Sequence, residues 1–164
     1  MTEKHLKIRP AQAQDCALIL EFIRELADYE KLAHEVVATA ADLEASLFRN
    51  APVAEVVIAE WHGKPAGFAL YFANYSTFLG RPGVYLEDLF VRPAFRGHGI
   101  GKALLAQLAG IVIERGWGRL DWSVLDWNSP AIEFYRSLGA QPLDDWTQYR
   151  LDGDALSSVA QNLG

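Results

Sequence analysis

Three glycines alternate at positions 97, 99 and 101, and Arg92, Arg96 and Lys102 stand around them in a chain whose net charge is −6. Alternating glycines let successive backbone N–H groups turn toward a ligand with no side chain blocking the approach. A helix that begins just after such a turn adds its positive N-terminal end, so the segment suits an anion, with a pyrophosphate as the natural candidate. Its spacing is not that of a dinucleotide fingerprint, which needs the third glycine one place later. Nor is it a P-loop, because Gly101-Lys102 is followed by Ala103 rather than Ser or Thr. By itself a glycine turn before a helix is more often a plain structural connection than a ligand site.

The elements around the loop follow from periodicity. Residues 84–91 read as a strand running directly into the glycines, and Ile100, Leu104, Leu108, Ile111 and Val112 form one stripe of the helix that follows. Upstream, Leu6-Lys7-Ile8 alternates as a strand and stops at Pro10, and Ile19, Phe22, Ile23 and Leu26 mark a first helix. Thr39 and Asp42 have the form of a capping pair for a short second helix. Residues 54–60 and 66–72, joined through His62-Gly63-Lys64-Pro65, read as a hairpin. Downstream, Leu120, Trp122 and Val124 alternate, Ser129-Pro130 starts a helix with the stripe Ala131, Phe134, Tyr135 and Leu138, Gly139 ends it, and 146–151 suggests a last strand. The order β-α-α-β-β-β-α-β-α-β describes one mixed α/β domain over 1–164.

Composition narrows the function classes. Half the residues are apolar, which suits a globular core, and 15 Lys and Arg against 21 Asp and Glu disfavour nucleic acid or anionic lipid as partners. Cys16 is the single cysteine, so no internal disulfide forms, and no Cys/His spacing suggests zinc. The polar start Met1-Thr2-Glu3-Lys4-His5 carries no apolar stretch for secretion or membrane crossing, so a cytoplasmic location is expected.

Arg96, Gly99 and Gly101 match the Arg/Gln-x-x-Gly-x-Gly/Ala signature of GNAT acetyltransferases. Tyr85-Leu86-Glu87-Asp88-Leu89-Phe90-Val91, the run from Trp127 to Tyr135, and Glu25-Leu26-Ala27-Asp28-Tyr29-Glu30 resemble the diamine (spermidine/spermine) acetyltransferase branch. The resemblance covers nearly the whole chain. It implies the GNAT fold, a mixed and mostly antiparallel sheet flanked by helices, with the fourth and fifth strands splayed to admit the pantetheine arm of acetyl-CoA. It also implies a homodimer, a small-molecule amine as acceptor and no metal.

By the same resemblance, Leu89, Phe90 and Val91 would offer main-chain groups to the acetyl-pantetheine arm. Arg96, Gly97, His98, Gly99, Ile100, Gly101 and Lys102 would hold the pyrophosphate, and Asn128, Ser129, Pro130, Ala131 and Leu138 would complete that site. Tyr29, Glu30, Asp121, Trp122 and Ser123 correspond to amine-site positions, although Trp122 reads equally well as core. Glu87 matches the general base and Tyr135 the general acid, while Asp88 would point to the opposite face of a regular strand. An alkyl ammonium of pKa about 10.4 cannot attack a thioester until it loses a proton, which is why a base is needed. Two alternatives stay open: an acetyl-CoA sensor of the same fold, and an enzyme acting on protein or peptide amines. Within the branch, the residues do not separate polyamines from thialysine-like amino acids.

Overall fold

The computed structural model describes residues 5–163, so the polar start Met1–Lys4 lies outside the described residues. The chain divides into two compact units, Met1–Leu125 and Asp126–Gly164.

The first unit is built on a five-stranded sheet in the order β1 (Leu6–Pro10), β2 (Glu55–Trp61), β3 (Lys64–Ser76), β4 (Arg81–Val91), β5 (Leu120–Trp122). The first four strands pair antiparallel, and β5 joins β4 in parallel. The hairpin between β2 and β3 closes through two residues with positive φ, His62 at 49° and Gly63 at 77°, the geometry that matches the right-handed twist of the flanking strands.

One sheet face is covered by α1 (Cys16–Tyr29) and α2 (Ala40–Leu47), whose apolar stripes bury Ile19, Phe22, Leu26, Leu43 and Leu47 against Ile58, Phe68 and Phe90. Phe22 lies flat on Phe68, with ring centroids 5.2 Å apart. Cys16 is buried at the start of α1, and that burial pushes its thiol pKa up, as a packing role requires. The expected cap of α2 is present: the Thr39 hydroxyl accepts from the Asp42 N–H at 3.2 Å, and the Asp42 carboxylate accepts from the Thr39 N–H at 2.8 Å. The opposite face, carrying Val57, Ala69, Val84 and Leu86, is covered by α3 (Ile100–Glu114), which crosses over from β4 to β5.

The pairing of β4 with β5 covers only Val84–Leu86 against Leu120–Trp122. From Glu87 onward β4 continues to Val91 while β5 has ended, so the two strands part as expected. The alternation expected to carry β5 through Val124 stops at Trp122.

The second unit contains α4 (Ser129–Ser137) and α5 (Gly153–Ala160). Asn128 caps α4 by accepting from the Ala131 N–H at 3.4 Å, and Gly139, with φ 87°, follows its last turn. The strand expected over 146–151 is not formed among the described residues. Among the described residues of the second unit there is no strand for this run to pair with, and strand propensity alone does not build a ladder. The helix α5, not anticipated from periodicity, follows it.

Candidate active site

The glycine loop owes its shape to backbone angles. Gly97 and Gly99 adopt φ of 85° and 74°, and a Cβ at either would meet no atom within 4 Å. Glycine is therefore demanded by conformation and not by crowding. The Ala103 N–H donates to the Gly99 carbonyl at 3.0 Å and is the first bond of α3, so helix geometry leaves the N–H groups of Ile100, Gly101 and Lys102 without an intrahelical acceptor. Lys102 is exposed beside them. This is an anion cradle. Arg96 is turned back across the end of β4: its Nε donates to the Val91 carbonyl at 2.9 Å, and its guanidinium lies 5.2 Å from the Tyr29 ring and 5.7 Å from the Phe90 ring.

Main-chain groups in the gap follow from the register. The Arg92 N–H donates to the Ala66 carbonyl at 2.8 Å, and Phe90 stands opposite Phe68. The peptide groups of residues 90 and 92 therefore face β3, and by alternation those of Leu89 and Val91 face the side where β5 has ended. A main-chain N–H that could meet a developing oxyanion is therefore offered by Val91, whose N–H is directed into the gap, and not by Phe90.

The strand is not regular at the acidic pair. Tyr71 stands opposite Leu86 and Leu70 opposite Asp88, so Glu87 is an extra residue on β4, a β-bulge. The bulge changes which side chains share a face. Before it, Val84 and Leu86 face α3; after it, Asp88 joins Leu70 and Phe90 on the α1 face, where Phe72 and Tyr85 also lie as a cross-strand pair with centroids 5.3 Å apart. The Tyr85 hydroxyl hydrogen-bonds the Ser123 hydroxyl at 2.8 Å, and Asp121, in register with Tyr85, accepts from the Asn74 amide at 3.3 Å. Trp122 is in register with Leu86, on the opposite face, and is half-buried.

Asp88 is thus half-buried on an aromatic face, with Glu87 beside it and Glu30 close enough to repel it. Burial, then Glu87, then Glu30 push its carboxyl up to about 6. Burial also raises Glu30, which immediately follows the last residue of α1. Glu87 is exposed at the mouth of the gap. In the second unit, Tyr135 lies on α4 with its ring 5.6 Å from that of Phe134, and Ser129, Pro130 and Ala131 form the first turn of the same helix, with Leu138 at its end. Among the described residues no group of three or more His, Cys, Asp or Glu is placed to hold a metal ion.

The profile of the Acetyltransferase (GNAT) family matches residues 20–140. The chain belongs to that family. It is 38% identical to the thialysine N-epsilon-acetyltransferase of Bos taurus, an alignment covering 93% of this chain and 96% of the relative. It is 32% identical to the L-ornithine N5-acetyltransferase of Arabidopsis thaliana, covering 93% and 87%. Among solved structures, an integron cassette protein of V. cholerae superposes with a TM-score of 0.80 at 30% identity, over 96% of this chain and 98% of that one. The expected family and its sheet architecture are therefore both present, and GNAT enzymes use acetyl-CoA as acetyl donor.

Sequence reasoning set Asp88 aside, and it gave Tyr85 and Phe72 no role, because it assumed unbroken alternation through this GNAT strand. A signal was available. Strict period two would place Asp88 in the same buried row as Val84, Leu86 and Phe90, an unfavourable position for a carboxylate. That conflict is what a bulge resolves.

Proposed function

We propose that this GNAT enzyme transfers the acetyl group of acetyl-CoA to the side-chain amine of a small cationic acceptor, of the thialysine, ornithine or diamine kind, by direct attack on the thioester. The observation that carries the reading is the face after the Glu87 bulge, where Asp88, Glu30 and Asp121 accompany Tyr85 and Phe72 beside the parted strands. Carboxylates next to aromatic faces suit an alkyl ammonium. The names of the two relatives point to the same class of acceptor.

The chain's own residues divide the work as follows. Gly97, Gly99 and the open N–H groups of Ile100, Gly101 and Lys102 hold the pyrophosphate, with Lys102 adding charge. Leu89 and Val91 bind the pantetheine arm through main-chain groups. Tyr29, Glu30 and Asp88 draw in the ammonium, and Glu87 removes one proton, through water, so that the nitrogen lone pair can attack the carbonyl carbon. The Val91 N–H meets the negative charge that develops on the carbonyl oxygen. Tyr135 gives its proton to the departing thiolate as the C–S bond breaks, the second proton lost by the attacking nitrogen passes through water to restore the phenol, and Asn128, Ser129, Pro130, Ala131 and Leu138 complete the cofactor site.

A homodimer is part of the proposal. It is supported by the resemblance of the chain to the diamine acetyltransferase branch. A cytoplasmic setting agrees with a single, buried cysteine.

The test is coenzyme A release from acetyl-CoA across thialysine, ornithine, lysine, putrescine, spermidine, spermine and a short lysine peptide. Turnover of one of the small amines is expected. Turnover of the peptide alone, or acetyl-CoA binding without turnover of any amine, would refute the proposal. Light scattering of the purified protein checks the dimer.

A further inference from the structure

Three of the chain's four histidines, His5, His62 and His98, gather around one indole, and of that cluster only His98 belongs to the glycine loop. Trp61 is the last residue of β2. His98, the one side chain between the two left-handed glycines of the anion loop, lies on it with centroids 4.6 Å apart and ring planes 20° from parallel. His62 meets the same indole edge-on at 5.1 Å and 88°. The His5 ring lies 4.1 Å from that of His62, and the His62 N–H donates to the His5 carbonyl at 2.7 Å. The indole is therefore fixed by the sheet and by the hairpin turn, while the loop residue that rests on it belongs to the most permissive stretch of backbone in the chain.

We propose that Trp61 is a positioning residue for the donor's pyrophosphate: by stacking under His98 it holds the glycine loop in its anion-binding shape. A loop with glycines on both sides of its single side chain gives up much conformational freedom on closing around a ligand. A stack made before binding removes part of that cost, and the gain appears as affinity for whatever the loop grips. On the other side, Arg96 fastens the loop to the Val91 carbonyl, so the cradle is pinned from both directions. The inference rests on the reading of residues 97–102 as the pyrophosphate site.

The experiment measures KM for acetyl-CoA, kcat, and direct binding of coenzyme A in the wild type and in Trp61→Leu, Trp61→Phe and His98→Ala. A parallel assay uses S-acetylpantetheine, which lacks the pyrophosphate. Trp61→Leu should raise KM for acetyl-CoA and the Kd for coenzyme A about fivefold, the worth of one aromatic stack, while kcat at saturating acetyl-CoA is retained. Trp61→Phe should recover most of the loss. S-acetylpantetheine should be used by Trp61→Leu as it is by the wild type, since the loop has nothing to hold. His98→Ala, an exposed loop change that leaves the sheet untouched, should weaken coenzyme A binding in the same sense. An unchanged KM in Trp61→Leu, or an equal loss with S-acetylpantetheine, overturns the proposal. Failure of the wild type to bind coenzyme A would instead remove the pyrophosphate reading itself.

Discussion

Replacing Asp88 by Asn should make the protein more stable at neutral pH and less able to bind its amine. Asp88 has its pKa raised from 3.8 to about 6 in the fold. For an acid whose folded pKa lies above its unfolded one, the native state holds more protons than the unfolded state between those two values. Stability therefore falls as pH rises across that window and is flat above it. At 1.36 kcal/mol per pH unit, the full rise corresponds to about 3 kcal/mol of destabilisation above pH 6, and partial solvent access brings the realistic figure to about 1–2 kcal/mol. Urea unfolding of wild type and Asp88→Asn, compared at about pH 4.5 and about pH 7.5, isolates this contribution, because every other titrating group is common to both proteins. The variant should be the more stable at the higher pH by about 1–2 kcal/mol, and the gap should shrink toward zero at the lower. The wild-type KM for the amine should fall as pH rises through about 6, where the Asp88 charge appears, and Asp88→Asn should lose that dependence. A gap of the same size at both pH values, or a variant less stable at pH 7.5, would refute the placement of an ionised carboxylate on this buried face.

Three further outcomes follow from the site. Tyr135→Phe should lower kcat by about 10²-fold or more while coenzyme A binding, read by calorimetry, stays close to wild type, since only a proton donor is lost. Glu87→Gln should move the rise of kcat/KM to higher pH, because free amine must then come from solution; an unaltered pH profile would remove Glu87 from proton transfer. Gly67→Ala should destabilise the fold by about 1–3 kcal/mol in a thermal or urea melt, because a Cβ there collides with the Phe90 carbonyl across the β3–β4 ladder and that backbone has no room to yield.

Much of the fold was legible because its cues are local. The Thr39–Asp42 pair announces α2, the His62-Gly63 turn closes its hairpin as read, and the stripe from Ile100 to Val112 gives α3 its buried side. Parting of β4 from β5 came from family resemblance, and the structure shows where it happens, after Leu86 and Trp122. What periodicity could not deliver is set by pairing between distant segments. The bulge at Glu87 exists only relative to Leu70 and Tyr71 on another strand, so the face of Asp88 was misjudged. The stretch 146–151 has strand-like residues, but the described residues of its own unit hold no strand to pair with it, and propensity without a partner does not make a ladder. Trp61 escaped notice because its value lies in what stacks on it, 37 positions later in the sequence.

The extra residue on β4 also separates two changes that would otherwise go together, loss of a carboxylate and loss of the strand's phase. Deleting Glu87 would remove the bulge but keep the phase: Asp88 would follow Leu86 directly, and ordinary alternation would leave Asp88 facing α1 and Leu89 facing α3, as they already do. The phase would invert only if the bulge were drawn flat with Glu87 still in place, which would set Glu87 opposite Leu70, turn Asp88 toward α3 and put Leu89 where Phe90 now lies against Phe22 and Phe68. The donor side of the site thus tolerates a single-codon loss at this position better than it tolerates regularisation of the strand.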